Sequence, residues 1–218
     1  HFTDASQFDM MQYQLSAHPE HLGQVNFFKL KQVTSVEEVY SSQQLPYIIP
    51  AMREGMQEFT WSEKYTPNDL IEFADLKGCV HNHSTYSDGK NTLLEMAEAS
   101  RAMGLQYFGI ADHSQYAAYA GGLKEEDLQR QHAEIDTLNA QWSDFKILKG
   151  IEADILPDGS LDYNPRILAS FDYVVASVHA QLVMDQDRAM ERLLKAIENP
   201  YTSILGHPTG RLLLTRTG

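Results

Sequence analysis

Five histidines, His81, His83, His113, His179 and His207, and one glutamate, Glu152, each stand where a short apolar run of this chain gives way to polar sequence. Imidazole and carboxylate donors without cysteine suit zinc, manganese or iron, whereas calcium and magnesium favour all-oxygen shells. Several imidazoles around carboxylates able to bridge predict more than one ion. In paired-ion sites the ions sit roughly 3.5–4 Å apart and clamp the attacking and leaving oxygens of an in-line displacement. Phosphoester hydrolysis uses such a centre best, because the protein need supply little beyond position and positive charge. No glycine-rich phosphate loop, nucleophile elbow or H-E-x-x-H helix offers a competing chemistry.

The elements that would carry these groups alternate regularly from residue 78 onward. GCVH reads as a strand. Thr92 and Glu95 then form a capping box for a helix with Leu93, Met96, Ala97 and Met103 on one face, stopped by Gly104. LQYFGIADH is the next strand, and Gly121 and Gly122 precede a helix on which Leu128, Ile135, Leu138 and Trp142 recur at helical spacing. FKILKGIEADI, YVVASVH and TSILGH complete five strands, with Met190, Leu193, Leu194 and Ile197 marking a helix before the last. Parallel βα architectures place their sites at the C-terminal ends of strands, so the strand-end ligands converge. Side chains alternate along a strand, so His81 and His83 share a face. The other four of the nine histidines, His1, His18, His21 and His132, have no such placement, and His132 reads as a packed core residue.

Residues before 78 differ. QVNFFKLKQV alternates like a strand, Ser35 and Glu38 predict a capped helix over 36–41, and the Pro-punctuated LPYIIPAMREGMQEF reads as an ordered linker. With 218 residues, 43% of them hydrophobic and 22% charged, the chain can bury one sizeable core with a small second unit. Its single cysteine, Cys79, excludes an internal disulfide and reads as a buried, inert thiol, which with the lack of a long apolar run predicts a cytoplasmic protein away from membranes. A formal charge of −13 excludes a general nucleic-acid-coating surface, so any contact with DNA must be local or metal-assisted. The start at His1 and the stop at RLLLTRTG predict a piece of a longer chain.

HNHSTYSDG, GIADHS, GIEADILPDGSLDY, FDYVVASVHA and ILGHPTGRLLL together resemble the PHP (polymerase and histidinol phosphatase) domain, in the version found at the C-terminus of bacterial family X DNA polymerases. FTDAS, EEVY and LPYIIPAMREG resemble the end of that polymerase's thumb and its linker. The resemblance implies an α/β fold: a distorted (β/α)7 barrel over 78–218, C-terminally incomplete here, behind a small α/β thumb-like segment (1–44) and a linker (45–77). It implies two to three divalent ions (Zn, Mn or Fe) and a 3′-5′ exonuclease used in DNA repair. DNA would be the substrate, and the polymerase palm would lie in the same longer chain. Two alternatives stand beside it, a small-molecule phosphatase of the histidinol phosphatase kind and a non-catalytic metal-binding domain.

By position, the resemblance implies that His81 and His83 hold a first metal and that Glu152 bridges it to a second, which His179 also holds. Asp88, His113 and His207 would hold a third. Asp112 would orient an imidazole, so Glu152, His179 and Asp112 form the expected catalytic set, with Arg211 meeting a substrate phosphate. The chain departs from the family in two places. No late Asp-x-His pair follows to complete the first metal site, and Asp4 stands in FTDAS where the family usually has glycine.

Overall fold

A computed structural model describes residues 4–31 and 33–210. The chain divides into two compact units between Glu72 and Phe73.

The first unit is built from short helices: α1 (Phe8–Ser16), α2 (Pro19–Gln24), α3 (Val36–Ser41) and α4 (Glu58–Ser62). Pro19 opens α2 at a position where its missing N–H has no intrahelical partner to lose. Ser35 caps α3 by accepting the Glu38 amide, while the Glu38 carboxylate takes the Thr34 amide instead of that of Ser35, so the expected box is displaced by one residue. Tyr13, Leu22, Val25, Val39, Tyr40 and Ile48 form the core. The expected strand in QVNFFKLKQV is not formed. Asn26 adopts a left-handed conformation, Phe27–Lys29 make one 3-10 turn, and Phe28 is exposed. Among the described residues this unit holds no strand that could pair with it, and an unpaired strand leaves its backbone groups unmet. The stretch expected to be a linker supplies Ile48, Arg53 and Glu58 to the buried interior.

The second unit is a curled, parallel five-stranded sheet in sequential order: β1 (Gly78–Asn82), β2 (Tyr107–Ile110), β3 (Lys146–Asp154), β4 (Tyr173–Ser177) and β5 (Ile204–Leu205). Connecting helices are α5 (Leu93–Ala102), α6 (Glu125–Gln141), α7 (Pro165–Leu168) and α8 (Gln186–Ile197). In a flat sheet β1 and β4 would stand about 14 Å apart at the usual strand spacing. Here the Tyr173 hydroxyl on β4 lies 3.3 Å from the His81 amide on β1 and donates to the Ile110 carbonyl on β2 at 2.8 Å. Only a strongly curled sheet brings those groups together. The arrangement is an incomplete barrel of the kind expected.

Thr92 and Glu95 form the reciprocal capping box that starts α5. Leu93, Ala97 and Ser100 are its buried side, while Met103, at the end of the helix, is exposed. Leu128, Ile135 and Leu138 bury the inner face of α6 as their spacing requires. His132 packs edge-on against Phe171 and leaves Nε2 without a hydrogen bond. Cys79 is half-buried.

α8 departs from the expected pattern. Its buried residues are Arg192 and Ala196, whereas Met190, Leu194 and Ile197 are about half exposed. The Arg192 guanidinium donates to the carbonyls of Ile155, Leu156, Ala180 and Gln181, and these bonds turn a charged residue inward.

Candidate metal centre

His81 lies in β1 and His83 one residue past its end, but the strand is not regular. Its pairing with β2 slips between Cys79 and Asn82, and His81 has φ 63°, so a bulge re-aims the imidazole. His113 lies three residues past β2 and bridges to Glu152 on β3. His179 follows β4 by two residues, and His207 follows β5 by two, with φ 28°. All five imidazoles meet one side chain, the buried Glu152. Its Oε1 lies 3.0 Å from His81 Nε2, 3.2 Å from His179 Nε2 and 2.9 Å from His207 Nε2. Its Oε2 lies 3.4 Å from His83 Nε2 and 3.1 Å from His113 Nδ1. Asp88 stands at the exposed rim, with one oxygen 3.5 Å from His83 Nδ1 and the other 3.7 Å from His113 Nε2.

Three nitrogens crowd Oε1, an atom with two lone pairs. His83 Nδ1 and His113 Nδ1 are buried without a hydrogen bond. Both features fit cations placed among the groups. Three sets of potential ligand atoms lie within 4.8 Å of one another: His81, His83 and Glu152; His83, Asp88 and His113; and His113, Glu152 and His179.

Burial alone would raise the Glu152 carboxyl, but the imidazoles of His113, His179 and His81 outweigh it and hold the group far below the carboxylate range. His179 shows the counterpart: burial opposes its charge, yet Asp154 and Glu152 push it up to about 9. For His83 burial and the neighbouring His113 win, and its pKa is lowered.

The structure separates some expected groupings. His207 faces Glu152 and lies with its ring 5.2 Å from that of His179, on the Glu152 side of the cluster from which it bonds Oε1. Asp112 does not orient an imidazole. Its buried carboxylate accepts from Ser84 N, Ser84 Oγ, Ser87 Oγ and Gln131 Nε2, which ties down the loop between His83 and Asp88. Successive side chains leave a strand end in opposite directions, so adjacency to His113 aims Asp112 elsewhere. The orienting carboxylate is Asp154, 3.2 Å from His179 Nδ1 and buried, with its second oxygen unbonded. Its signal was available, since Asp154 follows Glu152 by two on β3 and shares its face. Arg211 lies outside the described residues, as do Phe2 and Thr3 of FTDAS.

Comparison with known proteins agrees with the geometry. The PHP domain family pattern matches residues 80–212. The DNA polymerase/3′-5′ exonuclease PolX of Bacillus subtilis is 46% identical over 191 residues, 87% of this chain and 33% of that protein. A probable phosphatase of Caldanaerobacter subterraneus is 32% identical over 140 residues, 59% of this chain and 50% of that protein. A probable phosphatase of Vibrio atlanticus is 31% identical over 138 residues, 61% of this chain and 53% of that protein. The chain thus spans between a third and about half of the length of these curated relatives. The family pattern spans the segment that carries the histidine cluster, and this chain belongs to the PHP domain family.

Proposed function

We propose that the second unit is a metal-dependent phosphoesterase centre acting as a 3′-5′ exonuclease on DNA ends. The observation that carries this reading is one buried carboxylate, Glu152, within 3.4 Å of five imidazoles drawn from the ends of the four other strands. Divalent zinc, manganese or iron bound there would supply Lewis acidity and an activated water. Glu152 would hold such ions through its two oxygens. His81, His179 and His207 lie about its Oε1 and His83 and His113 about its Oε2, and these imidazoles, with Asp88 at the open rim, would be the donors that hold the ions. Asp154 fixes the ring orientation of His179, and Asp112 holds His83 and Asp88 in place through Ser84 and Ser87. Arg211 is retained as a phosphate contact.

The nucleic-acid substrate and a polymerase palm in a longer chain are supported by the name and identity of the Bacillus relative, whose match covers most of this chain; a role in DNA repair in the cytoplasm is retained from the family resemblance alone. A second reading, a phosphatase of small phosphomonoesters, is supported by the relatives named probable phosphatases. Metal-supplemented assays on single-stranded oligonucleotides and on small phosphomonoesters separate the two. Shortening of oligonucleotides from the 3′ end supports the first. Cleavage of the small esters alone supports the second, and turnover of neither would leave a metal-binding domain without catalysis.

A further inference from the structure

The chain is acidic, with 30 Asp and Glu against 17 Lys and Arg, so a general basic surface does not supply affinity for a nucleic-acid end. Arg192, the buried cation in this unit, has its guanidinium engaged by four backbone carbonyls. A source of affinity that needs no cations is stacking of a base on an aromatic ring.

One ring is placed for it. Tyr119 is 75% exposed, the most exposed tyrosine among the described residues, yet it stands beside the centre with its ring centroid 6.2 Å from that of His113. The turn that presents it is fixed. Ala117 and Ala120 on either side are buried, and the segment is closed by bonds from Ala117 N to Ser114 O, Ala120 N to Ala117 O and Leu123 N to His113 O. Asp162 holds its entrance by accepting the Tyr116 amide. A tightly bonded turn thus holds a large apolar face in solvent, one ring away from a metal ligand.

We propose that Tyr119 is a specificity-determining residue whose ring stacks on the terminal nucleobase of a nucleic-acid substrate while the adjacent phosphodiester lies at Glu152. The proposal rests on the phosphodiesterase reading above. It makes the site favour strand ends that carry a base over ends that do not.

The test compares oligonucleotides ending in an ordinary nucleotide with the same strands ending in an abasic residue, using metal-loaded wild type, Tyr119→Ala and Tyr119→Phe. Wild type and Tyr119→Phe should favour the base-bearing end by about 5- to 150-fold, the range of base–aromatic stacking, with the difference in KM. Tyr119→Ala should lose that preference and cleave the abasic end as wild type does. A terminal 2-aminopurine should be quenched on binding to wild type and Tyr119→Phe, and not on binding to Tyr119→Ala. If wild type cleaves no oligonucleotide, the parent reading fails and this proposal with it. If wild type cleaves but Tyr119→Ala keeps the preference, or loses activity equally on both ends, the stacking role alone is overturned.

Discussion

The Tyr173 hydroxyl and the His81 amide lie 3.3 Å apart although 92 residues separate them in sequence, and the contact supports the bulge that aims the first ligand of the cluster. The ring reaches there by passing Gly109 and Gly150, where any Cβ would collide with it. Tyr173→Phe keeps the ring and removes both hydroxyl bonds, to the His81 amide and to the Ile110 carbonyl. The expected loss is ~1–3 kcal/mol in chemical denaturation, together with weaker metal binding. Gly150→Ala should cost more, because the ring must move. Unchanged stability and metal affinity in Tyr173→Phe would show that the bulge holds itself.

Glu152 and His207 allow a comparison within the centre. Glu152→Gln removes the charge that five imidazoles share, while His207→Ala removes one donor to Oε1. Glu152→Gln is expected to lower metal-supplemented hydrolysis by more than ~100-fold, and His207→Ala by less. Bound-metal analysis should show the same order. Equal residual activity in the two variants would remove Glu152 from the role of bridge.

Asp154 acts on the metal only through His179, so its removal should weaken binding without emptying the site. Asp154→Asn is expected to lower metal affinity about 10- to 100-fold, read by competition with a chelator. Asp112→Asn disturbs a different link. It weakens the Ser84 and Ser87 bonds and should affect the ions held by His83 and Asp88 more than those near His179. If the two variants lose the same metal equally, the separation of their roles does not hold.

The strand-end ligands were legible because a parallel sheet makes a chemical pattern of a topological one. His81, His113, Glu152, His179 and His207 fall at corresponding ends of successive strands, and curling carries them to one point. Which nitrogen meets which oxygen was not legible. The neighbours of His207 depend on where β5 lies across the sheet, and a linear motif does not encode that. Asp112 was misread because adjacency along the chain suggested adjacency in space, whereas alternation placed Asp154, two residues from Glu152, in the orienting position. The inner face of α8 was misread for another reason. Hydrophobic spacing chose Met190, Leu193, Leu194 and Ile197, of which Leu193 packs against the core, but the carbonyls of Ile155, Leu156, Ala180 and Gln181 drew Arg192 inward in place of the others. In the first unit, alternation in QVNFFKLKQV was a local signal with no neighbouring strand to use it.

His21 and Glu58, buried in the first unit, make its stability depend on pH. His21 Nδ1 lies 2.8 Å from Glu58 Oε1, and its Nε2 lies 3.0 Å from the hydroxyls of both Tyr13 and Tyr40. Burial lowers the His21 pKa despite Glu58, so the folded ring stays neutral where the unfolded one, near 6.5, takes a proton. Burial would raise Glu58, but bonds from its own amide, His21, Gly55 and Met56 prevail and lower it from 4.5. In both cases the unfolded chain binds more protons as pH falls, so stability must fall too. The loss begins near 6.5 through His21 and continues below 4.5 through Glu58, and it is complete once pH passes the folded values. Trp61 reports this unit in a Trp142→Phe background, since the chain has two tryptophans. Denaturation followed by its fluorescence from pH 8 to about 3 should show the decline. His21→Gln should flatten the upper part of the curve and Glu58→Gln the lower part. A curve that stays flat in the unaltered protein, or that keeps its slope in both variants, would place the acid sensitivity elsewhere.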